Sequence, residues 1–364
     1  MQRLRDLVDL ATLLRWLGPW AGDAVPKRVS RALRTPSELV RAYVYTPRDR
    51  APAGAYLVTP GLHYLGPDDP RLDRFCRVLA AAGLLVYAPF LPDFLRLRLA
   101  PTLTDHLATA FDDLEPLVAA HRLPKPALFS ISFGALPAIA LGARPSHAER
   151  IGALVVFGGF ADFGATVRFA VSGVTEHRGE QLVLTRDPLN SPAVFINLLP
   201  HLDFTGDRVA LEAAWRTMVE RTWGRMELKA PGKRDPIAHA IARDLAPDLR
   251  ELFLLGCGLR EGAPELVDTT LRAAGDAYDF FDPRPHLPRV RAPVFVLHGR
   301  DDDVIPWFEA EKIRAALAPH HPHRVLVTGM AAHTGTAMPK PSALAKELQS
   351  LVATVATICT APRG

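Results

Sequence analysis

The sequence predicts an α/β fold: a mostly parallel central sheet flanked by helices, with a mainly helical segment inserted before the next-to-last strand. Three observations predict it. From about Ser37 onward, short apolar runs alternate with amphipathic stretches of helical spacing. The runs are apolar at nearly every position, as strands covered on both faces are. The alternation lapses from about Phe163 to Pro285, where the pattern is mostly helical and no strand-helix-strand unit stands out.

The elements follow in order. Residues 1–37 read as a helical extension, with Leu4, Leu7, Val8, Ala11 and Leu14 on one face. Arg3, Arg5, Asp6, Asp9 and Arg15 interrupt it, so it is neither a signal peptide nor a spanning helix. Docking on the protein is preferred over contact of residues 1–20 with a membrane surface. Residues 38–162 form the first part of the core. Glu38 to Pro47 supplies an antiparallel edge strand. Ala55 to Pro60, Leu84 to Phe90, Pro126 to Ile131 and Ala153 to Phe157 supply parallel ones. Helices are expected at Arg71 to Ala82, Leu103 to His121 and Phe133 to Leu141. Residues 163–285, with Trp215, Trp223, Met218 and Met226, are expected to fold over the strand ends as a cap or lid. Residues 286–364 complete the core. Their strands are Pro293 to Gly299 and Arg324 to Gly329, and their helices Phe308 to Leu317 and Ser342 to Ala356.

Composition narrows the function. At 364 residues and 48% hydrophobic, the chain is long enough for one large domain and a substantial insertion. The net charge of +4 is spread among acidic neighbours with no Lys/Arg block, which disfavours nucleic acid as a partner. Cys76, Cys257 and Cys359 lie far apart in apolar surroundings, without the spacing of a zinc site or redox pair. They read as buried thiols of a reducing cytoplasm. Nothing in the sequence sets an oligomeric state.

The chemistry starts at "FSISFGALPAIALGA", Phe129 to Ala143. If a strand ends at Ile131 and a helix begins at Phe133, Ser132 stands on the sharp turn between them. Such a turn needs small residues two positions away on either side, and Ser130 and Gly134 supply them. The Phe133 amide opens the helix, where free N–H groups favour a developing negative charge. A serine hydroxyl needs a base, and the base needs an orienting acid. "HGRDDDVIP" places Asp301, Asp302 and Asp303 just past one strand, and "GMAAHTG" places His333 past the last strand. The order is serine, aspartate, histidine.

On these residues the chain resembles the α/β-hydrolase superfamily of esterases, lipases and acyltransferases, over roughly Glu38 to Asp162 and Pro285 to Ala356. "HLPRVRAPVFVLHGRDDDVIP" is similar to that superfamily's run into its acid-bearing strand. Aligning Gly299 with its glycine selects Asp302 as the acid and leaves Asp301 and Asp303 to cap or solvate the loop. The resemblance implies a Ser132–His333–Asp302 triad and an oxyanion hole from the amides of Phe133 and Leu62. Leu62 follows "PG", with Pro60 in place of the usual histidine and Gly61 matching. Ser130 replaces the first glycine of the elbow. Asp162, at the end of the preceding strand, is the alternative acid, and His63 and Tyr64 are candidates for the pocket wall. The implied activity is cofactor-free and metal-free cleavage of carboxylic esters, with a small-molecule ester or acyl compound as partner. Phe195, Ile196, Leu198, Leu199, Trp215 and Trp223 suggest an apolar acyl group, or simply pack the cap. An acyltransferase or peptidase on the same triad, and a non-catalytic ligand-binding protein of this fold, are the alternatives.

Overall fold

The computed structural model describes residues 2–18, 20–22, 24–34, 40–329 and 344–364. The strands of this part are β1 (Val29–Arg34), β2 (Ala42–Pro47), β3 (Ala55–Thr59), β4 (Leu85–Pro89), β5 (Ala127–Ile131), β6 (Ala153–Phe157), β7 (Val174–His177), β8 (Glu180–Val183), β9 (Val294–Gly299) and β10 (His323–Thr328). Eight form one sheet in the order β1-β2-β4-β3-β5-β6-β9-β10, and β7 pairs only with β8. β2 is antiparallel to β1 and β4, and every pair from β4 to β10 is parallel. The expected antiparallel edge strand is β2. One more strand lies outside it: β1 falls within the stretch read as a helical extension.

Alternation along each strand divides the core into two layers. Leu57, Leu128, Leu154 and Val296 pack beneath Leu107, Phe111 and Ile139 of the helices Leu103–Ala120 and Ala135–Ala143. Tyr56, Val58, Phe129 and Val155 face the other way, against Cys76 and Leu79 of the helix Pro70–Ala81 and Val355 and Ile358 of the helix Leu344–Thr360. Each large side chain so buried contributes on the order of 2 kcal/mol. The three thiols are free and buried. Among the described residues no helix is long and apolar enough to cross a membrane.

The helix Gln2–Leu17 docks on the second layer through a face rotated from the one its spacing suggests, the two sharing Leu14. Leu10, Leu13, Leu14 and Leu17 make the contact, whereas Leu7 and Val8 are 62% and 54% exposed. Leu4 falls outside the residues whose side chains are described. A buried charge explains the rotation. Asp9 is 1% exposed and binds both Arg50 and Arg363, with its Oδ2 2.6 Å from Arg363 Nη2. Asp6 takes the other guanidinium nitrogen of Arg363 at 2.6 Å.

Between β6 and β9 the chain builds a hydrophobic core of its own. Phe195, Trp215, Phe253 and Phe281 lie at its centre, and Leu97, Leu136, Phe160 and Ile305 join it to the main sheet. The structure adds one element absent from the helical reading, the hairpin β7–β8. Its turn residues Arg178 and Gly179 both have positive φ, 54° and 81°, as a tight two-residue hairpin requires.

Removing a carboxylate that two guanidiniums share leaves buried charge uncompensated. Asp9→Ala is expected to lower unfolding free energy by about 3 kcal/mol, seen as a lower urea midpoint at unchanged slope. A loss under about 0.5 kcal/mol would mean that the network behaves like a surface pair.

Candidate active site

The sheet's path reverses at β3, with β4 on one side and β5 on the other. A crevice at the carboxyl ends of the strands is expected at such a switch point, and the chain places two turns there. The first follows β3 through Pro60, Gly61 and Leu62. The second follows β5, where a 3₁₀ turn Ser132–Gly134 leads into the helix Ala135–Ala143. Ser132 has φ 52°, a conformation that side-chain-bearing residues rarely adopt and that costs of order 1–3 kcal/mol. The turns touch so closely that glycine is obligatory at position 134. A Cβ on Gly134 would sit 2.3 Å from the Pro60 carbonyl oxygen and 2.9 Å from that of Thr59. One on Gly61 would sit 3.4 Å from Ser132 Cβ, an ordinary contact that places the two turns side by side. Ser130 points into the sheet, donating from Oγ to the Val155 carbonyl at 3.2 Å.

Leu62, Ser132 and Phe133 line one cavity of about 280 Å³. Its apolar wall includes Phe163, Val167, Ala170, Ala193, Val194 and Leu198 of the 163–285 segment, together with Leu72, Phe75, Leu99 and Ile131 from outside it. Of the residues read as a greasy surface, Leu198 and Trp223 reach the cavity. Phe195, Ile196, Leu199 and Trp215 are packed inside the core of the 163–285 segment instead. Asp69, Arg71, Asp187 and Lys229 put charge into the lining.

His63 lines the cavity, while Tyr64 stacks on it with ring centroids 4.7 Å apart and Trp223 lies 5.4 Å away. The His63 Nδ1 accepts from the Leu65 amide at 3.2 Å, and Nε2 lies 3.4 Å from Asp69. Burial pushes the His63 pKa down to about 4, outweighing the attraction of Asp69. That carboxylate is already held by Arg71 at 2.6 Å and caps the helix Pro70–Ala81. His63 is therefore neutral at neutral pH.

Asp302 is buried just beyond β9, two strands from the elbow. Its Oδ1 accepts from the Val304 and Ile305 amides, both at 2.9 Å, and Val304 reaches the cavity. His298, which sequence reasoning passed over as part of a strand, anchors the same loop. Its Nε2 donates to the Ile305 carbonyl at 2.9 Å and lies 3.4 Å from Asp302 Oδ2. Asp301 is exposed. Asp303, expected to cap or solvate the loop, binds a lysine of the 163–285 segment: Lys229 Nζ lies 2.5 Å from Asp303 and 2.8 Å from Asp187. The Asp187 amide also donates to the Asp303 carbonyl at 2.7 Å. Asp162 caps the helix Phe163–Ser172, its Oδ1 accepting from the Ala165 amide at 2.9 Å and its Oδ2 lying 3.7 Å from Arg284. Buried Glu309 accepts the Ala161 and Asp162 amides and fixes that strand end. His333 lies outside the described residues.

The strand order, with an elbow after β5 and an aspartate after β9, is that of an α/β-hydrolase fold. No protein-family model matches the chain, and no curated protein sequence matches it. Solved structures similar to it include 2,6-dihydroxy-pseudo-oxynicotine hydrolase, at 12% identity and TM-score 0.47 over 92% of this chain and 68% of the other. An esterase of Pyrobaculum calidifontis is similar at 14% identity and TM-score 0.43, over 99% and 91% of the two chains. The esterase domain of a Rhodothermus marinus protein is similar at 14% identity and TM-score 0.42, over 90% and 98%.

The depressed His63 pKa has a defined consequence for stability. Between about 4 and the ordinary 6.5 the unfolded chain binds the proton and the native chain does not. This contribution is therefore present above about pH 6.5 and is lost as pH falls toward 4, amounting to up to about 3 kcal/mol. Denaturant titrations at pH 4.5 and 7 should show a smaller difference for His63→Asn than for the wild type. Equal differences would assign the effect to other histidines.

Proposed function

We propose that this chain is a serine hydrolase that cleaves carboxylic esters carrying an apolar acyl group, through an acyl-enzyme. Ser132 attacks the carbonyl carbon as the His333 imidazole takes its proton, and Asp302 holds that imidazole in the required tautomer. The Leu62 and Phe133 amides receive the oxyanion, His333 protonates the departing alcohol, and water repeats the sequence on the acyl group. No step calls for a metal or an organic cofactor. Residues 163–285 act as the lid, supplying part of the apolar wall that receives the acyl chain.

The observation that carries this reading is the positive φ of Ser132 against a turn that tolerates no side chain at Gly134. Strain of that kind persists where the surrounding packing enforces it, typically at functional positions. Asp302 is preferred over Asp162 as the acid because it is buried with its Oδ1 fixed by two amides. Asp162, in contrast, serves a helix terminus and an arginine. The apolar wall supports the acyl preference.

A fluorophosphonate probe should label Ser132, and His333→Ala should abolish labelling. Absence of labelling in folded protein would favour a binding protein. Asp302→Asn should lower kcat by about 10⁴-fold and Asp162→Asn by far less; the reverse order would move the acid to Asp162.

On p-nitrophenyl esters, turnover is expected for short and medium acyl chains and should fall as the chain outgrows the cavity. It should rise with pH through roughly 6 to 7.5 as the base loses its proton. Labelling without turnover at any chain length would point to acyl transfer onto an acceptor other than water.

A further inference from the structure

Away from Ser132, the 163–285 segment gathers three donors around one glycine. Arg186 follows β8, and its stem lies along Gly173, with Cγ and Cδ each 3.7 Å from where a Cβ of that glycine would be. Its Nη1 donates to the Ala170 carbonyl at 3.1 Å, which fixes the guanidinium. Arg234 precedes the helix Asp235–Ala242 and reaches the Gly258 carbonyl only at 3.5 Å, while its Nε is buried without a partner among the described residues. Ser191 is fully buried, and its Oγ also lacks a partner among them. All three converge on Gly258. Arg186 Nη2, Arg234 Nη2 and Ser191 Oγ lie 3.5, 3.9 and 4.0 Å from the position a Cβ would take there, the three nearest heavy atoms to it.

Two half-buried guanidiniums facing each other are unfavourable without a negative partner. The acid beside them compensates Arg186 only in part: Asp187 is shared with Lys229, whose Nζ lies 2.8 Å away, and burial and Arg234 outweigh its attraction. Neither arginine has an ion pair among the described residues, and burial and the charge of Arg234 both push the Arg186 pKa down. Guanidinium forks and a hydroxyl are the donor set that binds tetrahedral oxyanions.

We infer that Arg186, Arg234 and Ser191 form an anion site for free phosphate, separate from the Ser132 cavity. The anion neutralises the facing guanidiniums and satisfies the orphaned Ser191 hydroxyl. It also ties the start of the helix Ser191–Leu198, which carries Ala193 and Val194 of the cavity wall, to the turn after the helix Pro247–Gly256. The inference does not depend on the esterase reading, because its test reads binding and melting, not turnover.

The test is inorganic phosphate titrated into the full-length protein at constant ionic strength, followed by calorimetry and thermal melting, with sodium acetate in parallel. The wild type should show saturable binding and a Tm that rises by several degrees and then levels off, with acetate at least tenfold weaker. Ser191→Ala should weaken phosphate binding about tenfold, and Arg234→Gln should abolish it. Without phosphate, Arg234→Gln should melt at or above the wild type, because like-charge repulsion is relieved. Equal phosphate responses in wild type and Arg234→Gln would overturn the inference, as would a wild type that binds no phosphate by calorimetry. Equal affinity for acetate would overturn the preference for a tetrahedral anion.

Discussion

The structure depends most on the contact between the turns after β3 and β5. Backbone there lies against backbone, with the Thr59 and Pro60 carbonyls where the first side-chain atom of residue 134 would be. Everything placed at the carboxyl edge takes its position from that contact. It sets the height of Ser132 above the sheet, brings Leu62 beside Phe133, and fixes the origin of the helix Ala135–Ala143 beneath them. Strain at Ser132 is tolerable because β5 is buried between β3 and β6, so the chain cannot relax without breaking two parallel ladders.

A second constraint is electrostatic and joins parts far apart in sequence. The loop after β9 is held from below by His298 and from the side by Lys229, which also binds Asp187. The aspartate next to Asp302 is thus part of the contact between the sheet and the 163–285 segment. Rearrangement of that segment would disturb the loop carrying Asp302, because Lys229 and the Asp187 amide both tie the segment to Asp303.

How much was legible in the sequence followed from which signals are local. Ala153–Phe157 matches its apolar run at both ends, and β5 differs by one residue, because central parallel strands are apolar throughout. Sharp turns were legible too, since Ser130 and Gly134 are required by sterics alone. The hairpin β7–β8 was not, because "EHRGE" lacks the asparagine or aspartate that usually marks its turn and its strands are largely polar. β1, with two arginines in "VSRALR", was hidden for a similar reason. The docking face of the first helix depends on Asp9 finding two arginines, the farther one 354 positions away, which no local periodicity encodes. The partnership of Asp303 with Lys229 is likewise tertiary. His333 falls outside the described residues.

The two edges of the main sheet, β1 and β10, are unlike its interior. β1 carries Arg31, which pairs with Asp73 at 2.7 Å, and Arg34, and β10 begins with His323 and Arg324. Unpaired strand edges are templates on which other chains can add, and positively charged side chains along them are a common defence. A chain adding to either margin would have to displace or desolvate these long polar side chains before a ladder could form. Among the described residues the eight-stranded sheet thus ends on each side in a strand that carries basic residues, the same feature that obscured β1 in the sequence.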